Sequence, residues 1–142
     1  MENKSDAKKK KITIAAVAVF IVAILAAGGY YLMADTANFK TITPKQAYDM
    51  MKSRNDVIII DIREYSELRE GWIEGSVFMP LPEIMQGRMA PPKDRPVLLV
   101  CAVGGRSFGL GRAMIPYGWT EVYNLESGIA GWKMLGLPLK YR

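Results

Sequence analysis

The sequence of 142 residues contains no histidine and a single cysteine, Cys101. The first absence excludes Ser-His and Cys-His catalytic pairs and any zinc site of mixed cysteine and histidine ligands. The second excludes an intramolecular disulfide and a resolving thiol within the chain. The net charge of +5 is also less than it looks. Lys4, Lys8, Lys9, Lys10 and Lys11 face only Glu2 and Asp6, so +3 of that excess sits in the first eleven residues. The remainder is close to neutral, which excludes the dense basic surface that nucleic-acid binding requires. No metal or cofactor is expected. Charge of either sign is missing altogether from Ile12 to Ala34.

That uncharged run is rich in Ala, Val, Ile and Leu. At ~1.5 Å rise per residue, a helix over 12–34 spans roughly the ~30 Å hydrocarbon core of a bilayer. Tyr30 and Tyr31 stand near its far end, where amphipathic rings favour the interface, and lysines crowd its near end. The positive-inside rule then places residues 1–11 as a basic cytoplasmic tail and the rest of the chain outside the cytoplasm, periplasmic or at the cell surface in a bacterium. A cleaved signal peptide is the competing reading. The run exceeds a usual h-region and no small-x-small site follows Met33, while Ala26-Ala27-Gly28 lies inside it. The balance favours an uncleaved single-pass anchor.

Residues 35–42 read as a tether and first strand, and 39–142 as one domain of about a hundred residues. Thr43-Pro44-Lys45-Gln46 is a helix start, with a capping threonine, proline at the first helical position and a glutamine to complete the box. Val57–Ile60, closed by Asp61, and Val97–Val100, closed by Cys101, are continuous apolar runs of the kind buried on both faces. Between and beyond them come a short helix over Tyr65–Glu70, a short strand at Val77–Met79, and a helix from Leu81 to about Arg88. Ser107–Tyr117 reads as a helix that Pro116 shortens or kinks, Val122–Leu125 as a strand and Ile129–Leu135 as a closing helix. This alternation predicts an α/β fold with a mainly parallel sheet covered on both faces. Ligands of such sheets bind beyond the carboxyl ends of the strands, where Asp61 and Cys101 both fall.

Cys101-Ala102-Val103-Gly104-Gly105-Arg106-Ser107 joins a strand to a helix. Gly104 and Gly105 allow the backbone to curl and turn several N–H groups toward one point. The helix that follows aims its positive end there, Arg106 adds a guanidinium suited to oxyanions, and Ser107 supplies a cap or a donor. Together these lower the thiol pKa and favour thiolate, persulfide or bound oxyanion. Taken singly, each feature has a bland alternative: a buried small hydrophobe, a turn, a solvated helix start. Asp61 and Arg63 read as a supporting pair, a strand-end cap or structural salt bridge. Met79, Met85 and Met89 read as core or rim packing, and Trp119 and Trp132 as core.

The Cys101–Ser107 stretch resembles the C-x-x-G-x-R-S active-site loop of rhodanese-like sulfurtransferases. Asp61-Ile-Arg63 with Glu67 resembles the family's D-x-R…E segment, and Gly71-Trp-Ile73-Glu-Gly75-Ser with Pro80 its G-H-I-x-G-A…P segment. Asn124-Leu-Glu-Ser-Gly128-Ile-Ala-Gly-Trp132 followed by Gly136-Leu-Pro138 resembles its closing G-x-x-x-W…G-x-P signature. The resemblance covers Phe39 to Pro138. It implies a five-stranded parallel sheet flanked by helices. It also implies a persulfide on Cys101 held by the loop 102–107, and transfer of sulfane sulfur to a thiophilic acceptor. Trp72 stands where the family usually has histidine and Phe78 where asparagine is common. Ala102 and Val103 make the loop interior apolar where members favouring thiosulfate carry extra cations.

The leading functional expectation is a sulfurtransferase taking thiosulfate, polysulfide or a persulfide as donor, and cyanide or a thiol as acceptor. A carrier that holds a persulfide without turnover, or a sulfide-sensing module docked to a membrane protein, is the alternative. A phosphatase or arsenate reductase ranks third, because those loops resemble C-x5-R and this one is a residue shorter.

Overall fold

The computed structural model describes residues 13, 14, 16–29 and 38–141. The chain divides into two units, residues 1–36 and 37–142. In the first, residues 13, 14 and 16–29 are helical and exposed. Among the described residues no helix is long and apolar enough to cross a membrane. The expected span over 12–34 includes residues 12, 15 and 30–34, which lie outside the described residues, as does the tail 1–11.

The second unit opens with β1 (Phe39–Ile42) and α1 (Pro44–Ser53). Thr43 Oγ1 accepts from Gln46 N while Gln46 Oε1 accepts from Thr43 N, so the capping box read from the sequence is present. β2 (Ile58–Asp61), a 3₁₀-helix (Tyr65–Glu70), β3 (Val77–Phe78), α2 (Leu81–Met85) and β4 (Val97–Val100) follow. Then come α3 (Gly105–Met114), a 3₁₀ turn (Ile115–Tyr117), β5 (Val122–Leu125) and α4 (Gly128–Met134).

Two helices differ from the sequence reading for local reasons. α2 stops at Met85 instead of near Arg88, because Gly87 turns left-handed with φ +69°. The helix expected over Ser107–Tyr117 starts two residues earlier and narrows to 3₁₀ form at Ile115, since Pro116 has no N–H to continue an α-helical ladder.

The strands form one five-stranded parallel sheet in the order β1-β5-β4-β2-β3. β4 lies at its centre, and all four of its residues are buried. Side chains along a strand alternate between faces, and here both faces are covered. Leu98 and Val100 enter a cluster with Ala47 of α1 and Ile129 and Trp132 of α4. Val97, Leu99 and Cys101 enter the opposite cluster with Leu110 and Met114 of α3. Full burial of a leucine such as Leu98 or Leu99 contributes about 1.5–3 kcal/mol. The two clusters clamp the strand that delivers Cys101. Met79 packs against the second cluster, while Met85 and Met89 are exposed. Trp132 is fully buried and donates to the Pro138 carbonyl at 3.0 Å, and Trp119 packs at the edge of the second cluster.

Candidate active site

Cys101 follows the last residue of β4 and is fully buried. The chain then turns through Gly104, whose φ of +89° lies in the left-handed region, and enters α3. That turn brings Gly104 N to 3.1 Å from Cys101 Sγ, and the Ser107 hydroxyl stands 3.2 Å from the same sulfur. Burial pushes the thiol pKa up. Hydrogen bonds from the Ser107 hydroxyl and from the N–H groups of Ser107, Val103 and Gly104 outweigh it, so the thiol lies below its ordinary value.

The back of the loop is fixed by the start of α4. Ile129 N donates to Cys101 O at 2.9 Å and Ala130 N to Ala102 O at 3.0 Å. This approach requires Gly128, which has φ +52° and where a Cβ atom would lie 2.2 Å from Cys101 O. Ala102 and Gly105 continue the loop, and Val103 is exposed at its tip.

Arg106 faces both the 3₁₀-helix and the thiol. Its two terminal nitrogens donate to Glu67 Oε2 at 2.9 Å and Oε1 at 2.5 Å. This pair, with help from the Glu64 N–H, holds the Glu67 carboxyl below the usual carboxylate range against the effect of burial. The guanidinium therefore faces a carboxylate on the 3₁₀-helix as well as the loop it belongs to. Sequence reasoning quoted Glu67 without giving it a partner.

Asp61 and Arg63 stand together at the end of β2, each 1% exposed. Arg63 Nη2 donates to Asp61 Oδ2 at 2.6 Å, and Nε donates to both carboxylate oxygens. The same guanidinium reaches the carbonyls of Glu67 at 3.2 Å and Gly71 at 2.9 Å. Neither side chain is hydrogen-bonded to the sulfur. They tie the 3₁₀-helix to the sheet and so hold Glu67 where Arg106 meets it. Beside them Asp61, Leu68, Trp72, Ser76 and Phe78 line a cavity of about 130 Å³.

Asn124 belongs to the site; the sequence placed it at the start of the closing segment and gave it no role. It is 3% exposed, and Ser107 Oγ lies 2.6 Å from its Oδ1. The signal available was a polar amide inside an otherwise apolar strand. Among the described residues no group of His, Cys, Asp and Glu is arranged to hold a metal.

A family model described as the rhodanese-like domain matches residues 43–135. A sulfurtransferase of Allochromatium vinosum is 34% identical over 84 residues, which cover 59% of this chain and 78% of that protein. The thiosulfate sulfurtransferase GlpE of Pseudoalteromonas translucida is 30% identical over 95 residues, covering 67% and 90%. Among solved structures, a protein of unknown function from Rhodopseudomonas palustris, described as a possible tyrosine phosphatase, superposes with a TM-score of 0.66 at 29% identity. It covers 76% of this chain and 89% of its own.

Proposed function

Because this chain belongs to the rhodanese-like domain family, we propose that it is a sulfurtransferase in which Cys101 carries sulfur as a persulfide. The observation that carries the reading is the ring of donors at one buried sulfur, Gly104 N at 3.1 Å and the Ser107 hydroxyl at 3.2 Å. Such donors favour an anion on sulfur without a histidine base. The Cys101 thiolate attacks the outer sulfur of a donor R–S–S⁻; the new S–S bond forms as the old one breaks, and R–S⁻ departs with its electron pair. With thiosulfate the leaving group is sulfite. The terminal sulfur of the Cys101 persulfide then passes to cyanide or an external thiolate, and Cys101 leaves as thiolate. With one cysteine in the sequence, the acceptor comes from another molecule. In this reading the loop 102–107 cradles the persulfide, and Asp61 and Arg63 support it from behind.

The spacing of Cys101 and Arg106 favours this chemistry over attack on a tetrahedral oxyanion. Four residues separate them, and the guanidinium is engaged by Glu67. An oxyanion hydrolase needs that charge turned onto its substrate.

We also propose that residues 12–34 anchor the domain to a membrane with residues 1–11 on the cytoplasmic side. The uncharged run, its length and its lysine-rich flank support this. Carbonate extraction of membranes and protease accessibility from either side test it. Release by carbonate, or digestion of the domain only from the cytoplasmic side, counts against it.

The activity is tested by intact mass after reduced protein meets thiosulfate or polysulfide, followed by cyanide and thiocyanate detection, with Cys101→Ser alongside. A gain of one sulfur on the unsubstituted protein alone, discharged over repeated turnovers, supports the sulfurtransferase. One discharge without turnover identifies a carrier. No adduct with either donor overturns the persulfide mechanism.

A further inference from the structure

The Ser107 hydroxyl has one proton and three acceptors around it. Cys101 Sγ and the Gly104 carbonyl are each at 3.2 Å, and Asn124 Oδ1 is at 2.6 Å. Asn124 sits in β5 opposite Thr41 of β1, and its Nδ2 donates to Thr41 Oγ1 at 3.3 Å. These contacts form one chain, Thr41–Asn124–Ser107–Cys101, that crosses β1 and β5 and ends at the sulfur. Drawn in this direction it suits a thiol: Ser107 gives its proton to Asn124, and its lone pair is open to the S–H of Cys101.

A thiolate or persulfide has no S–H to give and needs donors instead. We propose that Asn124 is a positioning residue for the anionic form of Cys101, acting through the Ser107 hydroxyl by reversing the direction of the Thr41–Asn124–Ser107–Cys101 chain. Half a turn of the amide about its last side-chain bond exchanges oxygen and nitrogen at nearly unchanged shape. Thr41 Oγ1–H then donates to Asn124 Oδ1, Asn124 Nδ2–H donates to Ser107 Oγ, and Ser107 O–H donates to Sγ. Only the thiol proton leaves, to solvent. The sulfur exchanges a bond it gave for a bond it receives, alongside the Gly104 N–H. An amide is the side chain that serves both states. A carboxylate in its place accepts only and captures the Ser107 proton, while an aliphatic side chain leaves that proton uncaptured but unguided.

The charges around the thiol come from several elements. Arg106 lies on its own loop, Glu67 on the 3₁₀-helix, and Asp61 and Arg63 at the end of β2; Glu126, in the turn after β5, is exposed.

The proposal rests on Cys101 being the sulfur-carrying residue, but its test does not need sulfur. The rate of iodoacetamide alkylation of Cys101 is followed against pH in the full chain and in N124D, N124L, S107A and S107A/N124D, with thermal unfolding as the folding control. N124D is expected to raise the midpoint by about one pH unit, as S107A does, by removing one charge-assisted hydrogen bond from the thiolate. N124L is expected to raise it by clearly less. In the S107A background N124D adds only a small remainder. Should N124L fail to fold, Asn124→Ala takes its place, since it too leaves the Ser107 proton uncaptured. Equal shifts in N124D and N124L, full additivity with S107A, or no shift at all overturns the proposal. Absence of sulfur loading would instead count against the sulfurtransferase reading and leave these titrations standing.

Discussion

Glu67 and Arg106 meet through two hydrogen bonds of 2.9 and 2.5 Å, although they stand 39 positions apart in the chain. The pair joins the 3₁₀-helix after β2 to the first turn of α3. It offsets the one full positive charge carried by the loop 102–107. In the sulfurtransferase reading, a donor arriving at this mouth meets exposed Val103 and a guanidinium already paired with Glu67. That setting suits a partner's singly charged persulfide better than doubly charged thiosulfate.

Replacing Glu67 with Ala should release Arg106 and invert that preference. KM for thiosulfate is expected to fall several-fold while KM for a neutral or thiol-borne donor changes little, measured by steady-state sulfur transfer. A KM for thiosulfate that rises or stays the same would show that Arg106 does not reach the donor. The folded Glu67 carboxyl titrates below its unfolded value. Its contribution to stability is therefore present above the unfolded value and is lost as pH falls through the folded one. In E67Q the acid-side loss of stability should be smaller, while stability at neutral pH falls by about 1 kcal/mol or less for so partly exposed a pair.

The Cys101 thiol is held below its ordinary value. Sulfur loading should accordingly rise with pH and level off before the pH at which a free cysteine would, and S107A should move that profile to higher pH. Linkage has the same sign: the thiolate's contribution to stability is present above the unfolded thiol pKa and is lost as pH falls through the folded one. Denaturant unfolding of C101S beside the unsubstituted protein isolates this part. A loading profile centred at the free-cysteine value would contradict it.

Asp61→Ala would strand the Arg63 guanidinium at a fully buried position. Removing one member of such a pair costs about 3–5 kcal/mol, which chemical denaturation would read directly. Arg63→Lys should also be costly, since a lysine cannot serve Asp61 and the carbonyls of Glu67 and Gly71 in one plane. A loss below about 1 kcal/mol in D61A would mean that water reaches Arg63.

Gly128→Ala places a methyl group 2.2 Å from Cys101 O, on a backbone with φ +52°. Either the start of α4 or the loop after Cys101 must yield. Loading of Cys101 should fall at least tenfold while the protein still unfolds cooperatively, a factor that corresponds to about 1.4 kcal/mol at the loop. Normal loading in G128A would show that the clamp from Ile129 and Ala130 is dispensable.

Much of this was legible in the sequence because it was local. The apolar runs at Ile58 and Val97, the Thr43–Gln46 box and the Gly104 turn each depend on residues a few positions apart. The ends of α2 and α3 were less so, since Gly87 and Pro116 decide them against a pattern that would otherwise continue. What could not be read was the pairing across the sheet. Which acid meets Arg106, and what the Ser107 hydroxyl touches besides sulfur, depend on the order β5-β4-β2 and on the register that sets Asn124 opposite Thr41. Spacing along one chain carries no signal for either.

The central place of β4 has a consequence in time as well as in space. Val97, Leu98 and Leu99 are paired on both edges and dry on both faces, so their amide protons should exchange with water only when the whole sheet opens. Val103, four residues beyond Leu99, is open to solvent. Within the length of one loop the chain passes from the slowest clock in the domain to one of the fastest. Cys101 stands at that boundary. Its position is kept by the part that does not open, and whatever reaches it from solvent is met by the part that does.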